Sequence, residues 1–206
     1  LNSADDLGNP GPDFKHGWGE VNAYQAIKIL ENNQYLNSNI SQGGNNTHNI
    51  TVPSAIIQLN VMVYWHDIEG SVNAAPALVN DIDINLINTN GLTVYPWLLD
   101  PTANATALNS NATYGNDHIN NMEQITLENP PSGSYILTVS GNAIPFGPQD
   151  YYVSYEFLSD SIELTYPVGG ESLVPGESEY IRWDAHETSG SFTLEYTING
   201  GSSWNT

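Results

Sequence analysis

Cysteine is absent from this 206-residue chain and positive charge nearly so: Lys15, Lys28 and Arg182 stand against 23 Asp and Glu. The missing cysteine excludes disulfides, zinc–thiolate sites and thiol nucleophiles together. The missing basic residues leave a formal net charge of -20 and a pI near 4.1. Such a polyanion is repelled by nucleic-acid phosphates and anionic lipid, so neither nucleic acid nor membrane insertion is an expected partner. Long apolar runs are lacking too, and none approaches the ~20 residues that cross a bilayer. Charged residues make up only 13%, against the ~25% usual in globular chains. Uncharged polar groups, among them 26 Asn, must therefore cover much of the surface. No G-x-S-x-G, H-E-x-x-H or Walker sequence occurs, and His16, His48, His66, His118 and His186 are scattered without ligand spacing. No secretory leader is visible; the opening LNSADDLGNPGPDF reads as the interior of a longer polypeptide.

What is present is enough apolar material for a core, with 39% hydrophobic residues and 12 Tyr and 5 Trp among them. Residues 19–31 carry the one convincing helical pattern, with Val21, Ala23, Tyr24, Ala26, Ile27 and Leu30 close to a single stripe. The Asn-, Ser- and Gly-rich stretch 32–50 reads as a linker or long surface loop. Alternating runs then predict strands at 55–65, 78–87, 134–140 and 151–158, with shorter ones at 92–95 and 123–128. In the first of these Ile57, Leu59, Val61, Val63 and Trp65 share a face. Short strands separated by Pro and Gly turns, with no helix between them, predict an antiparallel jelly roll or β-sandwich over 51–158. A second β pattern follows at 162–167, 179–185 and 191–198. About three strands are too few for a complete sandwich, so 159–206 reads as a truncated module.

The stretch Gly11–Ala23, with Gly17-Trp18-Gly19 and Asn22-Ala23, resembles the segment that closes the catalytic domain of subtilisin-like serine proteases. Further landmarks follow in order: Val63-Tyr64-Trp65-His66-Asp67, Leu78-Val79-Asn80-Asp81-Ile82-Asp83, Asn120-Asn121-Met122-Glu123, Gly133-Ser134-Tyr135 and Ile144–Gln149. Together they resemble the C-terminal, P-domain-like β-barrel of a branch of bacterial alkaline subtilases. The last module, through Tyr166–Glu171 and Ile198–Trp204, resembles Ig-like repeats of secreted bacterial proteins. Its Thr197–Trp204 stretch resembles an Asp-box with Asn199 where the acidic residue belongs, a hairpin beneath which Trp204 is expected to pack. The resemblance covers residues 10–158. It implies a secreted serine endopeptidase whose catalytic domain ends at 1–31 (last helix 20–31). Its triad lies upstream, and nothing in this chain matches the nucleophile signature, so catalytic residues are expected to be absent here. The implied partners are the chain's own upstream catalytic domain and protein substrate.

Carboxylates form the one constellation that points to a ligand. Asn80-Asp81-Ile82-Asp83-Ile84-Asn85 opens like an EF-hand loop, but Leu86 stands where Gly is required, which rejects that motif. On a strand, Asp81, Asp83 and Asn85 share one face while Ile82, Ile84 and Leu86 point inward. Adjacent carboxylates repel unless a cation or donor lies between them. With so few basic side chains, Ca2+ is the expected cofactor, and the resembled barrels do carry calcium. Asp67, Asp81, Asp83, Asp117, Asn121 and Glu123 are the candidate ligands. Two other functions compete. A carbohydrate-binding module would use Tyr95, Trp97 and Tyr114 as an exposed, coplanar stacking platform. An adhesive surface protein would be built from repeats of the 160–206 pattern. The polar segment 96–122 is expected to be a loop held down by Trp97 and Leu98.

Overall fold

The computed structural model describes residues 1–88, 90–185 and 191–206; His186 lies outside the described residues. The chain divides into two compact units, 1–159 and 160–206.

In the first unit the alternating apolar positions dictate two layers. Eight strands form two antiparallel four-stranded sheets. One holds β1 (Tyr35–Ile40), β10 (Gln149–Ser159), β3 (Ile56–Trp65) and β8 (Met122–Glu128), in that order. The other holds β2 (Asn45–Val52), β9 (Gly133–Ala143), β4 (Asp81–Asn88) and β5 (Thr93–Val94). The first strand pairs with the last, the second with the last but one, and so inward to β4 with β5. A long two-stranded ribbon rolled up this way is a jelly roll, as expected. It is an open sandwich, not a closed barrel.

Period 2 sends Leu59, Val61, Val63 and Trp65 of β3 into the same core as Ile82, Ile84 and Leu86 of β4, all at most 1% exposed. Burial of the Trp65 indole leaves its N–H needing a partner, and it donates to the Asn80 carbonyl at 2.8 Å.

The expectation of a linker over 32–50 is overturned: that stretch is β1 and β2, one edge strand of each sheet. An edge strand needs only one apolar face, and here Leu36, Ile40, Ile50 and Val52 supply it while Asn37, Asn39, Asn45, Thr47, Asn49 and Thr51 face solvent. Gly43, at φ 68°, turns the chain between the two strands. The segment 96–122 likewise contains structure. β6 (Trp97–Leu98) pairs with β7 (Thr113–Tyr114), and a one-turn helix α2 (Ala105–Leu108) is capped by Asn104. Trp97 donates to Thr126 Oγ1 at 3.0 Å, which holds the segment down.

The N-terminal residues 1–31 belong to the same unit. Asn2 reaches the Ser154 carbonyl at 3.4 Å and accepts from Gln124 Nε2 at 3.0 Å. Helix α1 (Ala23–Glu31) starts three residues later than expected because Asn22 is its cap, accepting from the Gln25 N–H at 2.9 Å. Just before the helix, Gly19 has φ 104°, and a Cβ there would overlap the Asp5 carbonyl. The stripe expected to face a core does not: Val21, Ala23, Ala26, Ile27 and Leu30 are exposed, and α1 meets β10 with Ile29 buried.

Among its described residues the second unit has one two-stranded sheet, β11 (Ile162–Tyr166) with β12 (Arg182–Ala185). The strand expected over 191–198 is reduced to a single bridge, Tyr196 to Asn205. At the hairpin tip Asn199 Oδ1 accepts from the Ser203 N–H at 3.0 Å, and Gly200 and Gly201 supply positive φ. Trp204 sets its ring edge against Gly201 at the tip, a Cβ there lying 3.8 Å from Cζ2, but the residue stays 58% exposed.

Candidate functional site

Opposite the N-terminal end of β4, its partner β9 carries a bulge. Asp81 pairs with Ala143 and Ile82 with Gly141, so Asn142 of β9 is left opposite the break. Its side chain donates to Asp81 Oδ2 at 2.8 Å. The loop between β7 and β8 brings His118 to the same oxygen, with Nδ1 2.8 Å from Asp81 Oδ2 and 3.6 Å from Asp83 Oδ1. Asp81, Asp83 and His118 each offer a ligand atom, and these atoms lie within 4.8 Å of one another. Asp81 Oδ1 and Asp83 Oδ1 are buried with no hydrogen-bond partner among the described residues. Burial raises the Asp83 pKa, Asp81 raises it further, and His118 and an Asn116 hydrogen bond pull it back.

Beneath this group lies Glu123, 1% exposed. It sits on β8, in the opposite sheet from β4, and joins the two. Its Oε2 accepts the Ile84 N–H at 2.8 Å and its Oε1 accepts the Asp117 N–H at 3.0 Å. β5 pairs only with Leu86 and Ile87, so the edge of β4 at Ile84 is open to this side chain. Burial pushes the Glu123 carboxyl up to about 9, and Asp83 and Asp117 push the same way against the two amide donors.

The structure thus brings together Asp81 and Asp83, as expected, and adds His118, which lacked any local ligand spacing. The other candidates are engaged elsewhere. Asp67 spends both oxygens on the Val79 and Asn80 amides at 2.7 and 2.8 Å. Asp117 accepts from the amides of Ile119 and Asn120 and from the Asn120 side chain. Asn121 donates to the Trp65 carbonyl at 2.8 Å. Ca2+ takes six to eight oxygens. A group in which one of three donors is an imidazole nitrogen, while most neighbouring carboxylate oxygens hold backbone amides, does not suit it.

The aromatic platform also fails its geometric requirement. Trp97 and Tyr114 stack on each other, centroids 4.3 Å apart and planes at 29°, instead of lying side by side. Gly11, at φ 74°, approaches the indole so closely that a Cβ would stand 2.8 Å from Cδ2.

No protein-family profile matches the chain. No curated protein matches it either. Among solved structures, a Sulfurospirillum deleyianum protein aligns with 60% of this chain and 96% of its own length, at 9% identity and a TM-score of 0.31. That likeness is too slight to bear on function. No helix among the described residues is long and apolar enough to cross a membrane.

Proposed function

We propose that this chain is a C-terminal accessory region of a secreted subtilisin-like serine endopeptidase. In this reading 1–31 completes the catalytic domain, the jelly roll stabilises it and helps to present protein substrate, and 160–206 begins an Ig-like module. Peptide-bond hydrolysis through a serine acyl-enzyme would belong to the upstream domain. The observation that carries the reading is the uncovered apolar stripe of α1. Ile27 and Leu30, which share one side of the helix with Ala23 and Ala26, are 54% and 61% exposed although their spacing is that of a core-facing helix. Burying the exposed parts of these two side chains would contribute roughly 3 kcal/mol, and a catalytic domain that ends in this helix would supply the cover.

Sequencing the gene upstream of the Leu1 codon, followed by labelling of the longer product with a fluorophosphonate, tests the proposal. The expected result is an Asp, His and Ser triad domain directly upstream. The long product should then label with the probe, and the 206-residue chain should not. Further copies of the 160–206 pattern upstream, with no labelling, would overturn the reading in favour of an adhesive protein.

A further inference from the structure

The pair Asp81 and Asp83 raises an electrostatic question that the rest of the molecule does not answer. Like charges two residues apart on a strand repel, and neither is paired with Lys or Arg among the described residues. Asp81 is 8% exposed, so water offers little relief. Hydrogen bonds satisfy its Oδ2, through His118 and Asn142, but leave Oδ1 of both carboxylates buried and without a donor. Two orphaned carboxylate oxygens beside an imidazole suit a cation that accepts both nitrogen and oxygen.

We propose that Asp81, Asp83 and His118 form a binding site for a first-row transition cation, with Zn2+ as its probe. Imidazole and carboxylate together are a normal donor set for such ions. Bonds of about 2.0–2.1 Å place neighbouring ligand atoms ~2.9 Å apart in an octahedron and ~3.4 Å apart in a tetrahedron. The observed separations from His118 Nδ1, 2.8 Å to Asp81 and 3.6 Å to Asp83, bracket those values. Binding would displace any proton on Nδ1. Asn142 would keep its bond to Asp81 Oδ2 and act as an orienting partner behind the ligand. The His118 side chain is 53% exposed, which leaves room for water to complete the coordination. The site spans β4 and the β7–β8 loop, so an ion there would tie that loop to the sheet. It is independent of the protease reading.

Calorimetric titration of the EDTA-stripped, dialysed 206-residue chain, with Zn2+ and then Ca2+, tests the assignment. Imidazole chemical shifts and thermal melts give independent readouts. The expected result is one equivalent of Zn2+ bound at micromolar concentration, a shift of the His118 resonances and a raised Tm. Millimolar Ca2+ should do none of these. His118→Ala, a change at an exposed side chain, and Asp83→Asn should each weaken Zn2+ binding more than tenfold. His48→Gln should leave it unchanged. No Zn2+ binding, Zn2+ binding untouched by His118→Ala and Asp83→Asn, or a Ca2+ response that survives His118→Ala would each overturn the proposal.

Discussion

Replacing Glu123 with Gln probes the carboxylate that joins the two sheets. Glu123 is buried, and its pKa is raised from the usual carboxylate range to about 9. A carboxyl whose folded pKa lies above its unfolded value adds stability fully below the unfolded value. That stability is lost as pH rises toward the folded one. The affected window runs from about 4.3 to about 9. Within it each pH unit costs up to ~1.4 kcal/mol, so between pH 5 and pH 8 the native state should lose as much as about 4 kcal/mol through this one side chain. The amide N–H groups of Ile84 and Asp117 favour the ionised form, and the value of about 9 already contains their opposing pull. Gln removes the charge but turns an NH2 toward one of those amides. At pH 5 the variant should therefore be the less stable by ~1–3 kcal/mol. Urea unfolding of both proteins in EDTA at pH 5, 6, 7 and 8 measures the difference, and the other carboxylates cancel in it. The gap should close steadily with pH and reverse between about pH 6 and pH 7. A difference constant to within ~0.5 kcal/mol, a typical additivity error, would refute the reasoning. It would mean that Glu123 is ionised in the native state throughout, its charge held by the two amides.

Other substitutions reach different parts of the molecule. Trp65→Phe should keep most of the packing but strand the Asn80 carbonyl, lowering stability by ~1–3 kcal/mol in chemical denaturation. Gly11→Ala combines a positive φ with a clash on the Trp97 ring. It should cost at least ~1 kcal/mol and release the 96–122 segment, seen as faster cleavage there by a non-specific protease. Ser at Val21, Ile27 and Leu30 together should change the melting of this chain little, since each position is exposed and such sites usually shift stability within ±0.5 kcal/mol. If the proposed function holds, the same triple change should lower the yield of active enzyme from the longer polypeptide. An unchanged yield would count against α1 packing in a catalytic core.

The long strands were legible because their signal is local. In β3 and β4 every second residue is apolar, and that period alone assigns Leu59, Val61, Val63 and Trp65, with Ile82, Ile84 and Leu86, to the core. The helical stripe placed α1 but not its start, because Asn22, expected inside a helix over 20–31, caps it instead. β1 and β2 were not, since edge strands surrounded by solvent carry few apolar residues and their Asn-rich composition mimics a linker. The site divides along the same line. Strand geometry put Asp81 beside Asp83, and short-range charge counting showed that Lys and Arg could not neutralise both. That His118 completes the group depends on a β-bulge at Asn142 and on where the β7–β8 loop is carried by the jelly-roll path. The same path decided that Asp67, Asp117 and Glu123 hold backbone amides. Residue type and spacing encode which face a side chain takes. Its partners across the sandwich are decided only when strands distant in the chain come into register.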